Sequence, residues 1–339
     1  MTSEVPETTL APRVGKPAGQ PAGQPAAQPA RLPRARRSFA DRAWRLLRTA
    51  PVSAWFGMIV IVCYLTVALF APLLAPYRES QIFPIPFDEW KLKFVWLTIY
   101  GDFAIPVWAW LDPAKEFVLG TDQLGRDMLS RLIYGARNTI GIAVATTLLS
   151  FLIGGSLGIL AAIQRGYFDQ VLARAVDVLM AIPSLIFALM LLSIFGSSVL
   201  NLIIIIAVLD ATRVFRLSRA VAMNVVVMDY VEAARLRGEG LGWIMRREIL
   251  PNIMPPLVAE FGLRFCFVFL TISALSFLGV GIQPPTADWG SMVRENATLI
   301  TYGDITPLLP AAAIALLTVA VNFVVDWFLH KTSGLRDEH

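Results

Sequence analysis

Six long apolar stretches dominate the pattern of hydrophobic and polar positions along the chain. A helix needs about 20 apolar residues to cross the hydrocarbon core of a bilayer, and each stretch meets that length to within a few residues. The pattern therefore predicts an all-α polytopic membrane protein with six transmembrane helices. Their predicted positions are 52–75, 138–163, 175–196, 198–215, 254–280 and 308–329.

A seventh apolar stretch, 94–111, is rejected because of the basic residues that follow it. Cytoplasmic segments of membrane proteins carry an excess of Lys and Arg. With six spans and the N-terminus inside, 20 Lys and Arg lie in cytoplasmic segments and eight lie outside. A seventh span would move the seven basic residues of 213–250 to the outside. We therefore predict six spans with both termini in the cytoplasm.

Composition excludes an ordinary soluble domain, because 56% of the residues are hydrophobic, only 16% are charged and the mean hydropathy is +0.62. The formal net charge of +4 comes from one tail, since residues 1–50 hold nine Lys and Arg against three Asp and Glu. Such a tail is typical of a segment retained in the cytoplasm before a membrane span. We therefore predict contact with membrane lipid and none with nucleic acid.

Few residues of the kinds used in catalysis or metal binding are present. Cys63 and Cys266 both lie inside apolar stretches, and the only two histidines, His330 and His339, lie at the C-terminal end. No nucleophile–base or metal-ligand arrangement can be built from them. We therefore predict no catalytic residues, no metal and no cofactor in this chain.

The polar segments between the spans predict how the chain is divided. Repeated Pro-Ala-Gly-Gln units near the N-terminus cannot bury a core and should be disordered. The predicted boundaries are a Pro/Ala/Gln-rich disordered stretch and basic cytoplasmic tail (1–50), a first transmembrane helix (51–76), an external aromatic-rich loop with an amphipathic helix (77–137), a five-helix core containing a cytoplasmic loop at about 216–250 (138–330), and a cytoplasmic tail (331–339).

The external loop contains four of the nine tryptophans, Trp90, Trp96, Trp108 and Trp110. Tryptophan favours the headgroup region of a bilayer, so one interpretation is a loop that lies on the outer membrane surface. The other is a docking surface for an external partner.

The loop at about 216–250, called the central loop below, is polar and basic between apolar blocks. It contains Glu232-Ala233-Ala234, then Gly238, then Ile249-Leu250-Pro251. Small residues let a helix dock closely on another protein, and a glycine breaks the helix afterwards. The spacing predicts two short helices, one starting at Tyr230 and one over 243–250.

Two interpretations of Glu232 are compatible. Asp229 lies three residues before it, which suits a capping box at the start of the first short helix. Glu232 then serves its own helix, although a short helix exposed in the cytoplasm still needs a partner surface to bury it.

A second block runs from Leu119 to Arg137. Its apolar residues, including Leu124 and Met128, fall on one helical face, which predicts an amphipathic helix lying in the membrane interface before the second span. Asp127 and Arg131 are four apart and can form an ion pair. A metal site at Asp122 and Asp127 lacks a third ligand.

A third block follows the fifth span and contains Gln283-Pro284-Pro285 and Asp288-Trp289-Gly290. The prolines and glycines predict the end of a helix. Trp289 is predicted to anchor the chain at the outer interface.

Together the three blocks resemble the dipeptide/oligopeptide/nickel-type permease subunits of bacterial ABC importers, specifically the C-type partner, over roughly 117–337. Two departures are Glu248, where the family often has an apolar residue, and an aromatic loop longer than usual. The resemblance implies an ATPase-coupling loop carried by Asp229, Tyr230, Glu232, Ala233, Ala234, Arg235, Gly238, Ile249, Leu250 and Pro251. It also implies a motif at the external interface formed by Gly120, Thr121, Asp122, Gly125, Arg126, Asp127, Arg131, Gly135, Arg137, Gln283, Pro284, Pro285, Trp289 and Gly290.

The resemblance further implies an ABC type I importer permease fold in the bacterial inner membrane. Expected partners are a second permease subunit, cytoplasmic ATP-binding subunits and an external substrate-binding protein. ATP is hydrolysed by the partners, and this chain has no Gly-rich phosphate loop of its own. Expected substrates are peptides or similar small solutes: dipeptide, oligopeptide, opine-like or nickel.

The alternative function is an ion-coupled secondary transporter without an ATPase partner. That class places broken helices and polar residues near mid-membrane in two related halves, and no such paired pattern is visible. Glu260 and Arg264 in the fifth span either form a local ion pair or mark a pathway. Asp210 is expected to lie close enough to the inner boundary for hydration or for pairing with Arg213.

Overall fold

The computed structural model describes residues 50–83 and 117–333, and its regular elements are helices. The β pairing in these ranges is limited to two isolated bridges, Ile82 with Arg126 and Thr121 with Asp127. The all-α prediction is confirmed for this part of the chain. The predictions for the N-terminal tail, for most of the aromatic loop and for the end of the C-terminal tail lie outside the described residues.

The helices are α1 (Val52–Leu69), α2 (Ala71–Leu74), α3 (Met128–Gln164), α4 (Gly166–Ala181), α5 (Ser184–Phe195), α6 (Val199–Val226), α7 (Asp229–Leu236), α8 (Leu241–Trp243), α9 (Leu250–Phe277), α10 (Trp289–Asn296) and α11 (Leu308–Ser333). A π-helical segment, Ile244–Ile249, joins α8 to α9, and a 3-10 helix, Ala297–Tyr302, follows α10.

Four helical segments are long and apolar enough to cross a membrane: α1, α3, the continuous segment Leu241–Phe277 and Leu308–Lys331 of α11. The pair α4 and α5 makes a fifth if it counts as one span. Helix α6 does not meet the criterion because Asp210, Arg213 and Arg216 interrupt its apolar sequence. The described residues therefore contain four candidate spans, or five with the α4–α5 pair, and the count of six stays a prediction.

The predicted span 175–196 is not one continuous helix, because the chain bends by 88° between α4 and α5. Helix α4 ends at Ala181, and Ile182 takes an extended conformation with ψ 131°. Pro183 explains the break: it cannot donate a backbone hydrogen bond and it disfavours helical geometry in the residue before it. Helix α5 then begins at Ser184 with no side-chain cap.

Helix α6 begins where predicted and continues to Val226, well beyond the expected end at 215. Ser198 caps its start by accepting a hydrogen bond from Asn201 N at 3.1 Å. The extension contains no Gly or Pro, and it buries Ser218, Ala222 and Val226 at four-residue intervals. One continuous buried stripe therefore carries α6 down to the central loop.

Helices α3 and α6 pack backbone to backbone and run parallel. A Cβ atom added at Gly154 would lie 2.3 Å from Ala211 O, and one at Gly158 would lie 2.7 Å from Phe215 O. The contact advances along both helices in the same direction. Glycines four residues apart are typical of close helix pairs in membranes, and no other residue fits at either position.

Helix α1 packs antiparallel to α11. A Cβ atom at Gly57 would lie 2.4 Å from Ala320 O, and further along α1 the Tyr64 hydroxyl donates to Ala313 O at 3.2 Å. Residues later in α1 therefore contact residues earlier in α11, as in an antiparallel pair. The first described helix is in this way fixed to the last.

Candidate functional site: the central loop and the outer charged cluster

Helix α7 begins one residue earlier than predicted, and its cap differs. Met228 is the N-cap residue, and its side chain makes no capping hydrogen bond. The predicted capping box between Asp229 and Glu232 is therefore wrong. Both carboxylates lie instead in the first turn of the helix, where the positive end of the helix dipole favours negative charge.

The adjacent alanines of α7 differ in burial. Ala234 is fully buried together with Val231, whereas Ala233 and Glu232 are exposed. The remaining residues of α7, Asp229, Tyr230, Arg235 and Leu236, are exposed too. Ala234 therefore packs inside its own protein, and Ala233 is the small residue left on the open surface.

Gly238 ends α7 as predicted, through a Schellman motif. Its N–H donates to Arg235 O at 2.9 Å, and Glu239 N–H donates to Ala234 O at 3.2 Å. Gly238 has φ +81°, in the left-handed region that favours glycine. An added Cβ would meet no atom within 4 Å, so backbone conformation rather than space requires glycine here.

The second helix of the central loop is not a separate short element. It begins at Leu241 and continues through the π-helical segment into α9. Ile249 is fully buried, Leu250 is half-buried, and Pro251 is exposed near the start of α9. Pro251 lacks the N–H that would bond to the preceding turn, which is consistent with the change of helical type at this point.

Val231 and Ala234 pack into a buried apolar cluster, called the loop-side core, at the ends of three long helices. An eight-residue helix is marginal in water alone, so this packing holds α7 in place. The other buried members are Ile159, Ala162 and Ile163 of α3, Ala222 and Val226 of α6, Ile244 and Ile249 of the π-helical segment, and Ile253 and Leu257 of α9.

The side of the central loop that does not pack is unusually apolar for an open surface. Leu236 is 83% exposed, and Met228, Tyr230, Leu241 and Trp243 are each more than a third exposed. Single exposed apolar residues are ordinary, but a concentration of them indicates an interaction surface. The central loop therefore combines a sealed inner face with an open face suited to a partner protein.

At the opposite end of α3 lies a group of four charges, called the outer charged cluster, in which Asp122, Arg126 and Arg131 are buried and Glu295 is half-buried. Asp122 Oδ2 lies 2.6 Å from Arg126 Nε and 2.5 Å from Arg131 Nη1. Glu295 Oε2 lies 2.6 Å from Arg126 Nη2 and 2.8 Å from Arg131 Nη1. Two acids and two bases alternate, so the buried charge is balanced as burial requires.

The predicted amphipathic helix in the membrane interface is wrong, because residues 119–127 form turns and isolated bridges, helix α3 begins only at Met128, and most of the polar residues of the segment are buried. Leu124 is 57% exposed, whereas Arg131 is fully buried. The predicted pair of Asp127 with Arg131 is wrong as well. Asp127 caps α3 by accepting from Ser130 N at 2.8 Å, and Arg131 contacts Asp122 and Glu295 instead.

Two glycines shape the turn that presents Asp122. Gly120 and Gly125 have φ +74° and +76°, and a Cβ at Gly125 would lie 2.5 Å from Phe83 O. Asp122 Oδ1 accepts from Leu124 N and Arg126 N, both at 2.9 Å. Thr121 is buried beside the turn. The carboxylate of Asp122 is thus held by hydrogen bonds from its own loop and by two arginines. It binds these arginines rather than a metal ion.

Trp289 is 2% exposed, so its predicted role as an interface anchor is wrong. Its Nε1–H donates to Leu132 O at 3.0 Å, and Gly135 makes room for the ring, since a Cβ there would lie 2.7 Å from Trp289 Cδ1. At Gly290 a Cβ would lie 2.2 Å from Ser273 O. These residues lock α10 against α3 and α9.

Asp288 caps α10 by accepting from Ser291 N at 2.9 Å, and it also accepts from the Thr139 hydroxyl at 2.8 Å. Burial raises the pKa of Asp288, and these two hydrogen bonds oppose that rise. Before α10, Gln283 donates to Gly279 O and Gly281 O, both at 3.0 Å. Among the motif residues that stay exposed are Arg137, Gln283, Pro284 and Pro285.

Within the helices, the predicted pair of Glu260 with Arg264 is confirmed at 2.8 Å. Asp210 approaches Arg213 as expected, at 3.8 Å, and also Arg264 at 3.7 Å. Sequence reasoning missed a further pair between Asp169 and Arg219, which links the start of α4 to α6. Of these contacts, a four-residue spacing in the sequence predicts only the pair of Glu260 with Arg264.

The chain belongs to the family of binding-protein-dependent transport system inner membrane components, which it matches over residues 154–331. Residues 38–89 match the N-terminal transmembrane domain of oligopeptide transport permease C. The protein is thus an inner-membrane permease subunit of an ABC importer and not itself an enzyme. Membership implies ATP-binding partner subunits and a substrate-binding protein.

Among its relatives is the di/tripeptide transport system permease protein DppC of Pseudomonas aeruginosa, 36% identical over 83% of this chain and 84% of the relative. The dipeptide permease DppC of Escherichia coli is 34% identical over 83% and 86% of the two chains. The glutathione transport system permease protein GsiD of Pectobacterium atrosepticum is 33% identical over 87% and 88%. A secondary transporter gains no support from these relatives.

Proposed function

We propose that this subunit imports short peptides and is driven through the central loop by ATP-binding subunits on the cytoplasmic side. Three relatives that cover most of the chain are named for transport of di- and tripeptides, dipeptides or glutathione, which supports the substrate class. The observation that carries the coupling role is the packing of α7. Only Val231 and Ala234 of that helix are buried. They belong to the loop-side core, which also contains side chains from the ends of α3, α6 and α9, and α7 itself packs on the π-helical segment and on α6.

In this proposal the exposed residues of the central loop bind an ATP-binding subunit. Closure of the ATP-binding subunits moves α7, and the loop-side core passes that motion to three helices at once. The permease then alternates between inward-open and outward-open states. Of the sequence-predicted coupling residues, Tyr230, Glu232, Ala233 and Arg235 are on the open surface, where such a contact requires them.

The proposed topology has six crossings by α1, α3, the α4–α5 pair, α6, α9 and α11, with both termini in the cytoplasm. The parallel packing of α3 and α6 supports it, because the intervening α4 and α5 must return the chain to the starting side. The antiparallel packing of α1 and α11 supports termini on one side. The charged residues of α6 then face a second permease subunit or the pathway rather than lipid.

The coupling role is tested by Gly238→Pro in the reconstituted complex. Proline fixes φ near −65° and lacks an N–H, so it fits neither the +81° backbone of Gly238 nor its bond to Arg235 O. We expect peptide uptake to fall at least about tenfold, which corresponds to roughly 1.4 kcal/mol in the coupled step, while membrane insertion and subunit assembly persist. The measurement is ATP-dependent uptake of radiolabelled dialanine into proteoliposomes.

Gly240→Ala is the matched control, because Gly240 has φ −70° and leaves open space for a Cβ. It should transport like the wild type. Full uptake by the assembled Gly238→Pro complex would refute transmission of force through the end of α7.

A further inference from the structure

A second charged group lies deep within the helices, well away from both ends. Asp210 lies roughly four helical turns before Val226, where α6 ends, and Ser150 lies roughly four turns before Gln164, the end of α3. At a rise of about 1.5 Å per residue these positions are roughly 20 Å or more from the loop-side ends. The group therefore lies near mid-membrane, where ionisable residues are costly and mark pathways.

This group is held much more loosely than the outer charged cluster. Asp210 Oδ2 accepts from the Ser150 hydroxyl at 3.2 Å, but Oδ1 approaches Arg264 and Arg213 only at 3.7 and 3.8 Å. Arg264 Nε lies 2.8 Å from Glu260 Oε1. In the outer charged cluster the four acid–base distances are 2.6, 2.6, 2.5 and 2.8 Å, so the wider spacing between Asp210 and its two arginines leaves room for a further charged group.

Asp210 and Arg213 both line a cavity of about 90 Å³. Ser184, at the start of α5, forms another part of its wall, and Arg213 Nη2 lies 3.4 Å from the Ser184 hydroxyl. Phe267 lines the cavity as well, and the Arg264 guanidinium lies 4.7 Å from the centre of its ring. A negative group and a positive group therefore share one small space.

The bend between α4 and α5 adds a second source of positive potential. The first N–H groups of a helix have no intrahelical acceptor, and at α5 no side chain caps them. Ser184 also lines a neighbouring cavity of about 30 Å³ with Arg213. The N-terminus of a 12-residue helix and an arginine thus meet on one wall, while Asp210 provides a carboxylate in the larger cavity.

We propose that this cavity, called the mid-membrane cavity, is a step on the translocation pathway that binds the charged ends of a short peptide. The peptide carboxylate binds at Arg213 and the start of α5, and the peptide ammonium binds at Asp210. This inference rests on the proposed function, because it assigns residues to the substrate class given there.

The opening of the cavity supports this placement. The side chain of Arg213 is 42% exposed, and Phe267 is 54% exposed. An exposed arginine at this depth requires water or a protein partner rather than lipid. The cavity is much smaller than a usual ligand pocket, which holds about 300 Å³ or more. The remaining wall around a dipeptide therefore comes from the second permease subunit.

The site is tested by thiol labelling of the complete complex in proteoliposomes. Ser184→Cys is introduced after Cys63→Ser and Cys266→Ser, and a cationic methanethiosulfonate reagent is the probe. We expect the thiol to react, and to react at least about threefold more slowly during ATP-driven transport of dialanine. Ser193→Cys is the matched control, since it is on α5 but outside the residues that line the cavity, and its rate should not change with dialanine.

A second arm varies the charge at Asp210. Asp210→Asn should reduce uptake of dialanine about tenfold but reduce uptake of N-acetyl-dialanine, which has no ammonium, by less than about twofold. Asp210→Glu keeps the charge and should restore part of the dialanine uptake. A purely structural role for Asp210 would lower uptake of both peptides equally, which would overturn the proposal.

The results distinguish a failure of this inference from a failure of the proposed peptide import. If the wild-type complex imports no dialanine, the peptide function is wrong and the site proposal falls with it. If the wild type imports dialanine while labelling of Ser184→Cys is unaffected by the peptide, only the mid-membrane cavity is wrongly assigned.

Discussion

The central loop and the outer charged cluster lie at opposite ends of α3 and use their polar residues in opposite ways. In the central loop the polar residues of α7 are exposed, and two apolar side chains attach the helix to the protein. In the outer charged cluster Asp122, Arg126 and Arg131 are buried and neutralise one another. The polar residues of the central loop are available to a partner protein, whereas those of the outer charged cluster bind one another within the chain.

Two motifs of similar polar composition therefore need different tests. Substitution in the outer charged cluster should change folding first, and transport only as a result. Substitution on the open side of the central loop should change binding to the ATP-binding subunits while the permease stays folded. Measurements of stability and of binding can therefore tell to which region a residue belongs.

Arg131→Met should strongly destabilise the protein, because it leaves the carboxylates of Asp122 and Glu295 without one of their two arginines in a buried site. Removal of one member of a buried ion pair costs about 3–5 kcal/mol. The measurement is thermal unfolding of the purified complex together with the yield of folded protein.

Arg137→Met is the control for that experiment, since Arg137 is exposed further along α3, and such surface changes cost less than about 0.5 kcal/mol. Equal behaviour of the two variants would contradict the buried outer charged cluster.

Leucine at the two alanines of α7 should separate stability from binding. Ala234→Leu overpacks the loop-side core, which costs about 1–3 kcal/mol, and should lower the unfolding temperature. Ala233→Leu lies on the open surface, so it should leave stability unchanged but weaken capture of the ATP-binding subunits. The two readouts are thermal unfolding of the permease pair and co-purification of tagged ATP-binding subunits. A loss of stability in both variants would mean that α7 is buried on both sides.

Asp229→Asn should have a small effect, because Asp229 lies in the first turn of α7 and not at its cap. Loss of its interaction with the helix dipole costs about 0.3–1 kcal/mol. The expected loss in free energy of unfolding is therefore smaller than for Arg131→Met or Ala234→Leu, and added salt should reduce it further. The free energy of unfolding is measured by chemical denaturation at low and high salt. A large, salt-independent loss would support the predicted capping box between Asp229 and Glu232.

The sequence was informative about apolar stretches and helix ends because both depend on neighbouring residues. Gly238 was predicted to end α7 and does so, and Ser198 begins α6 as the apolar pattern indicated. The bend before α5 was also visible in principle, since Pro183 interrupts the predicted span. Hydropathy alone does not indicate a bend at this proline.

The partners of buried polar residues could not be predicted in the same way, because they come from distant parts of the chain. Glu295 is 164 residues from Arg131, and Leu132, which accepts from Trp289, is 157 residues from it. Without such contacts, spacing alone predicts that Arg131 pairs with its helical neighbour, and residue type alone predicts that Trp289 lies in the interface. Residue type predicts that a buried arginine needs a carboxylate, but not which one.

The close approach of Gly154 and Gly158 to α6 bears on how far a push at α7 can travel. Two helices in backbone contact cannot slide past one another without steric clashes between their backbones. Helices α3 and α6 should therefore tilt together as one rigid unit. Helix α3 has 37 residues, about 56 Å at the usual rise, and carries Arg131 in its first turns. A displacement applied at one face of the membrane would thus arrive at the other as a rigid rocking movement.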